Sequence, residues 1–201
     1  MTIKKKNRFY EIVAAVGFLL ATVSYSIGSS MLETKYGAAV QGGAHPGALG
    51  VGFSLELVNC MAVVLIGILL FLRLRPCGKP IALGYMISRI AEALLLCAGG
   101  ILVLTGANEA LRLQAFLFHL AMVILGVYSA VFCVYLVKWS VGPKWLFLTG
   151  VAGYVTLVIY AGINLISASQ LAPMWLFAPG AVFEIIFPVW LIVRGFDPAE
   201  A

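Results

Sequence analysis

Four ionisable side chains, Glu56, Arg89, Glu92 and Glu184, fall inside stretches otherwise built from apolar residues. At the centre of a bilayer such a side chain costs ~2.5–3.5 kcal/mol on insertion scales, so each one marks a candidate functional site. Arg89 and Glu92 stand one helical turn apart, close enough to neutralise each other. Glu56, Asn59 and Cys60 share a helix face at i, i+3 and i+4. By helix rise Glu56 lies about 8 Å from the outer boundary of its span, where it either lines an outward-opening cavity or reaches the interface. Pro188 follows Glu184 by four residues and lacks the amide that would bond the carbonyl of residue 184. A kink and a concentrated acceptor site are expected there, suited to protons, cations or the donors of Arg89. Three glutamates face a single buried arginine, which leaves one or two acids without a permanent partner.

Two softer polar stripes accompany these charges. Thr156, Tyr160 and Asn164 recur at i, i+4 and i+8, and His119 shares a face with Met122, Gly126, Ser129 and Cys133. Hydrogen bonding between helices accounts for both, with His119, Tyr160 and Asn164 as further ligand contacts. Several chemistries are excluded. The chain has no H-E-x-x-H motif, no histidine boxes, no phosphate-binding glycine loop and no C-x-x-C pair, and its one aspartate, Asp197, lies beyond the last apolar stretch. Two histidines, one of them (His45) in a loop, do not make paired axial haem ligands. No metal site and no cofactor is expected. Catalysis is left with Glu and Arg alone, so an enzyme is the less favoured reading.

The elements that must hold these groups are helices in lipid. Of 201 residues, 63% are hydrophobic and 10% charged. A soluble domain this small could not hide so much apolar surface. Six stretches are long enough to cross a hydrocarbon core, near Phe9–Gly28, Val51–Leu72, Ile81–Thr105, Leu113–Val137, Trp145–Ser167 and Ala172–Val193. Short connections make residues 1–201 a single all-α transmembrane domain. The first stretch has a basic start but no clear small-x-small cleavage site, and reads as a retained helix. The segment from Ser29 to Gly50, with Glu33, Lys35 and His45, is expected to be the longest loop. Gly17 with Ala21, Gly84 with Ser88, and Gly126 with Ala130 are small residues spaced for close helix packing. An inverted repeat of three plus three spans finds little support, because Glu92 precedes its Gly99–Gly100 pair whereas Glu184 follows Pro179–Gly180.

The net charge of +5 reflects orientation rather than nucleic-acid binding. Lys4, Lys5, Lys6, Arg8, Arg73, Arg75, Lys79, Lys138, Lys144 and Arg194 flank one side, and Lys35 and Arg112 the other. Both termini are therefore expected in the cytoplasm of a cell (inner or plasma) membrane protein. Cys60, Cys97 and Cys133 lie within spans and Cys77 in a cytoplasmic loop, so no disulfide framework is expected.

Longer runs of sequence carry a resemblance. Residues Gly78-Lys79-Pro80-Ile81-Ala82-Leu83-Gly84-Tyr85 followed by Arg89-Ile90-Ala91-Glu92-Ala93 resemble the bacterial and archaeal family named domain of unknown function 4386. So do Tyr135-Leu136-Val137-Lys138-Trp139-Ser140, Pro143-Lys144-Trp145-Leu146, and the ending Phe183-Glu184, Trp190-Leu191, Arg194-Gly195-Phe196. The resemblance implies a multi-pass integral membrane protein. It also keeps an R-x-x-E and a terminal F-E at Arg89, Glu92 and Glu184. This chain departs from the pattern at Trp139, where the family more often has a small or basic residue, and at Val141-Gly142. No activity follows from the family name.

These readings converge on a six-helix bundle with a polar cavity between the second, third and sixth spans. The expected role is a receptor or carrier for a small amphiphilic ligand, lipid- or quinone-like, contacted by Glu56, Asn59, Arg89, Glu92, His119, Tyr160, Asn164 and Glu184. Arg89 would hold an anionic or carbonyl group. The rivals are a proton- or cation-coupled transporter, an intramembrane enzyme with Glu184 as acid or base, and an assembly subunit whose charges serve packing. Membrane lipids and self-association of the chain complete the expected partners; nucleic acid is not among them.

Overall fold

The computed structural model describes residues 3–40, 46–105, 109–167 and 171–196. His45 lies outside them. The described residues are almost entirely helical: α1 (Ile3–Val40), α2 (Pro46–Leu104), α3 (Ala110–Lys138), α4 (Lys144–Ser167), a 3-10 turn (Met174–Leu176) and α5 (Ala178–Val193). Helix takes over most of the expected loop at residues 29–50, since α1 continues to Val40 and α2 starts at Pro46. Alanine and Met within that segment are strong helix formers, and they outweigh its glycines.

Among the described residues, five helices are long and apolar enough to cross a membrane, and one of them, Leu49–Leu104, is 56 residues long. About 20 residues suffice for one crossing. That long element is not straight. Gly78, set between Pro76 and Pro80, has φ −178° and ψ 87°, outside the helical region. Each proline removes an amide from the helical ladder, and the extended residue between them turns the chain back. The two halves then run antiparallel. A Cβ on Gly67 would lie 3.0 Å from the Cβ of Arg89; Cys60 Sγ donates to the carbonyl of Ala93 at 3.3 Å; a Cβ on Gly100 would meet Phe53 at 2.9 Å. The pairing steps forward on one half and backward on the other. The turn is capped from outside: the Trp139 ring lies against Gly78, where any side chain would collide with it.

Glycine sets the close approaches elsewhere. A Cβ on Gly28 of α1 would meet the carbonyl of Gly52 at 2.8 Å, and one on Gly126 of α3 would meet Val158 of α4 at 2.6 Å. Backbone also meets backbone between α4 and α5, where a Cβ on Gly153 would stand 2.9 Å from the Cα of Gly180. In lipid, where apolar surfaces gain little from meeting one another, such contacts supply packing that larger residues could not. Helix α5 stays one helix through Pro188.

The bundle is sided inside out relative to a soluble protein. Met61, Leu94, Leu148, Ile166 and Val193 are exposed, whereas Glu11, Glu56, Asn59, Arg73, Ser88, Arg89, Glu92, His119 and Asn164 are buried. Together with the long apolar helices, this makes the chain a multi-pass membrane protein. The start of α1, the turn of α2, the junction of α3 with α4 and the end of α5 gather at one end. Arg8 donates to the carbonyls of Leu191 and Ile192, Arg73 meets Glu11, and Trp139 meets Gly78.

Candidate functional site

Three of the eight sequence-derived residues, Arg89, Glu92 and Glu184, come together in one centre. Arg89 projects from the second half of α2 and is 2% exposed. Its Nη1 donates to Glu92 Oε2 at 2.9 Å, its Nη2 to Glu184 Oε1 at 3.4 Å, and its Nε to the Tyr85 hydroxyl at 2.8 Å. Tyr85 and Glu92 are the residues one turn before and one turn after Arg89, so a single helix face supplies two of the three acceptors. Helix α5 supplies the third. Phe18 and Tyr85 place their rings beside the guanidinium, each with its centroid 5.2 Å from Cζ. Both contacts suit a desolvated cation. Tyr85 is itself clamped by Phe132 of α3, stacked at 4.2 Å.

Tyr154 joins the same centre, donating its hydroxyl to Glu184 Oε1 at 3.1 Å. The polar stripe read on this span begins at Thr156 and leaves Tyr154 out. Its neighbour Gly153 carries the contact with α5, and that contact is the signal that identifies the face. Ser88, by contrast, turns back onto its own helix and donates to the carbonyl of Tyr85 at 2.7 Å.

The centre opens on a cavity of about 170 Å³, to which Asn59, Arg89, Glu92, Tyr154 and Glu184 contribute polar groups and Phe18, Tyr25 and Leu157 apolar ones. A second cavity, of about 480 Å³, lies toward the end opposite the termini, with Glu33, Gln114, His119 and Tyr160 on its walls. Tyr25, Phe118 and Phe177 line both. Tyr25 and Phe118 stack with centroids 5.8 Å apart, so an aromatic waist separates the two spaces.

The remaining sequence-derived residues divide between the outer space and the packing. His119 and Tyr160 belong to the outer cavity, their rings 5.9 Å apart edge to face. Glu56 lines neither cavity. It is 1% exposed, wedged between the halves of α2 and α3, and accepts a hydrogen bond from Gln114 Nε2 at 3.4 Å. Neither the interface nor the Arg89 centre receives it, although its turn-mate Asn59 faces the inner cavity. Asn164 Oδ1 accepts from the amide of Ala172 at 2.8 Å and so ties the end of α4 to the segment before α5. That bond satisfies one of the backbone donors that a connector inside an apolar bundle would otherwise leave open.

A second charged group escapes sequence reading. Glu11, 3% exposed, accepts from Arg73 Nε at 2.6 Å and pairs with Arg8 at 3.4 Å. Arg73 Nη2 also donates to the carbonyl of Phe196 at 3.4 Å, with the Phe196 ring 5.5 Å from its Cζ. Gly195, at φ +75°, ends α5 in the left-handed conformation, and a Cβ there would strike Arg8 and Glu11. Glu11 follows a run of lysines and an arginine, so its position resembles an interface residue; the signal lies in the apolar stretch that starts around it.

No curated protein and no solved structure matches the chain. The model of the family described as "Domain of unknown function (DUF4386)" matches residues 13–195, a range that holds the Arg89 centre, both cavities and the glycine that ends α5. The chain therefore belongs to the DUF4386 family.

Proposed function

We propose that the chain crosses the cell membrane six times, with both termini on the cytoplasmic side, and acts as a receptor or carrier for a small amphiphilic ligand. The fold-back of α2 at Gly78 supports two crossings by that element. The meeting of Arg8 with the end of α5 supports a common side for the termini, and the surplus of Lys and Arg there supports the cytoplasm. The observation that carries the ligand reading is the position of the Arg89–Glu92–Glu184 group. Three desolvated charges would pack more cheaply as leucines if they only cancelled one another. Instead they border a cavity with an apolar wall and an aromatic waist leading to a larger space. A cavity of about 170 Å³ accommodates a small molecule or the head of a larger amphiphile; an apolar cavity of roughly this size takes up benzene.

The test is native mass spectrometry of the protein extracted in mild detergent, with Ala21→Phe as the comparison. Ala21 lines the inner cavity without taking part in the charge centre. The expected result is a small molecule retained by the original chain and absent from Ala21→Phe. Failure to retain any molecule, also after incubation with a membrane lipid extract, overturns the reading.

A further inference from the structure

We propose that the inner cavity selects a small organic monocation with an apolar body, seated against Glu184 and the aromatic faces of the waist. The inference rests on the reading of this cavity as a ligand site and adds the charge of the ligand. Among the described residues lining it, Arg89, Glu92 and Glu184 are the only ones with formal charge. With both carboxyls ionised, two carboxylates against one guanidinium leave one negative charge that no described residue of the lining offsets.

Arg89 is not the group that would take an anion. Three of its five N–H donors already go to Tyr85, Glu92 and Glu184, the two glutamates lie against its charge, and rings lie beside it. Glu184 differs. Oε1 receives both Tyr154 and Arg89, Oε2 accepts no hydrogen bond from the described residues, and the side chain is 26% exposed where that of Glu92 is 6%. Asn59 is a second, independent pointer. It is 4% exposed, faces the cavity, and makes no hydrogen bond with the described residues, so its amide is available to a guest. The lining also carries Tyr25, Phe118 and Phe177, aromatic residues of the kind that attract a cation. A bare metal ion fits less well, because Val63, Ile66, Leu96, Met122 and Leu125 occupy directions where a hard cation needs oxygen. The outer cavity agrees in sign: Glu33 lies on its wall, with no Lys or Arg among its described lining residues, an arrangement that draws cations inward.

The experiment uses the full chain in lipid nanodiscs and isothermal titration with three probes of similar size. These are benzyltrimethylammonium, its uncharged carbon analogue neopentylbenzene, and the anion benzenesulfonate. The expected result is a preference of at least about tenfold for the cation over the uncharged analogue, equivalent to ~1.4 kcal/mol, with no binding of the anion. In Glu184→Gln that preference falls to about parity. Should this variant fail to fold, the three-probe series on the original chain decides alone. Equal binding of cation and uncharged analogue, or a preference for the anion, overturns the cation assignment and leaves the ligand site standing. Absence of binding by all three overturns both.

Discussion

The two groups of charge in this bundle differ in what their arginines meet. Near the termini, Arg8 and Arg73 both meet Glu11 among the described residues, and backbone carbonyls of Leu191, Ile192 and Phe196 accept from the same two guanidinium groups. These carbonyls sit at or just beyond the end of α5, where the helix dipole is negative. Around Arg89 two carboxylates meet one guanidinium, the acceptors are side chains, and an open space replaces the carbonyls. A group whose charges are met by the fold behaves as a clasp. A group whose charge is left partly unanswered beside a cavity behaves as a receptacle. The same two charged residue types, Arg and Glu, serve both, so identity alone does not separate structure from binding; the surroundings do.

The contrast yields graded outcomes. Glu11→Ala removes the carboxylate that both Arg8 and the deeply buried Arg73 meet, and is expected to have the largest effect on stability, ~3–5 kcal/mol, typical of breaking a buried pair. Thermal unfolding in detergent measures it, and a loss smaller than that of Glu184→Gln would dissolve the distinction. Glu92→Gln keeps an acceptor at the 2.9 Å bond but removes its charge. An intermediate loss of ~1–3 kcal/mol is expected, as for a charged hydrogen bond, read in the same melts. Glu184→Gln, whose bond to Arg89 is 3.4 Å long, is expected to cost least, ~0.6 kcal/mol, the average for side-chain hydrogen bonds between membrane helices. The ordering reverses when the measurement is ligand retention, where Glu184→Gln should matter most and Glu11→Ala least per unit of folded protein. Matching orders in both measurements would mean that the two groups do one job.

Much of this arrangement was legible in the residues, for reasons that also mark where legibility ended. Arg89 and Glu92 declare themselves because their separation is one turn and their neighbours are apolar. Glu184 is legible as an acid within an apolar span, and α5 continues as one helix past Pro188. Helical spacing places Glu56 and Asn59 on a shared face. It does not say that this face straddles two neighbours, so that Asn59 meets the cavity while Glu56 meets Gln114. Glu11 was hidden by the basic run before it. The Trp139 departure, which reads as a loop substitution, turns out to cover the bend of α2 at Gly78. Such contacts join segments some 60 residues apart, and no local pattern encodes them.

The bare backbones of Gly153 and Gly180 set the width of the receptacle from one side. Tyr154 directly follows one of them and Glu184 lies a turn beyond the other, so the gap between α4 and α5 is the ruler for the hydroxyl-to-carboxylate distance. Two atoms' worth of missing side chain thereby act as a spacer. A methyl group added at position 153 would push the helices apart and lift Glu184 from both Tyr154 and Arg89, altering the charge centre without touching any charged residue.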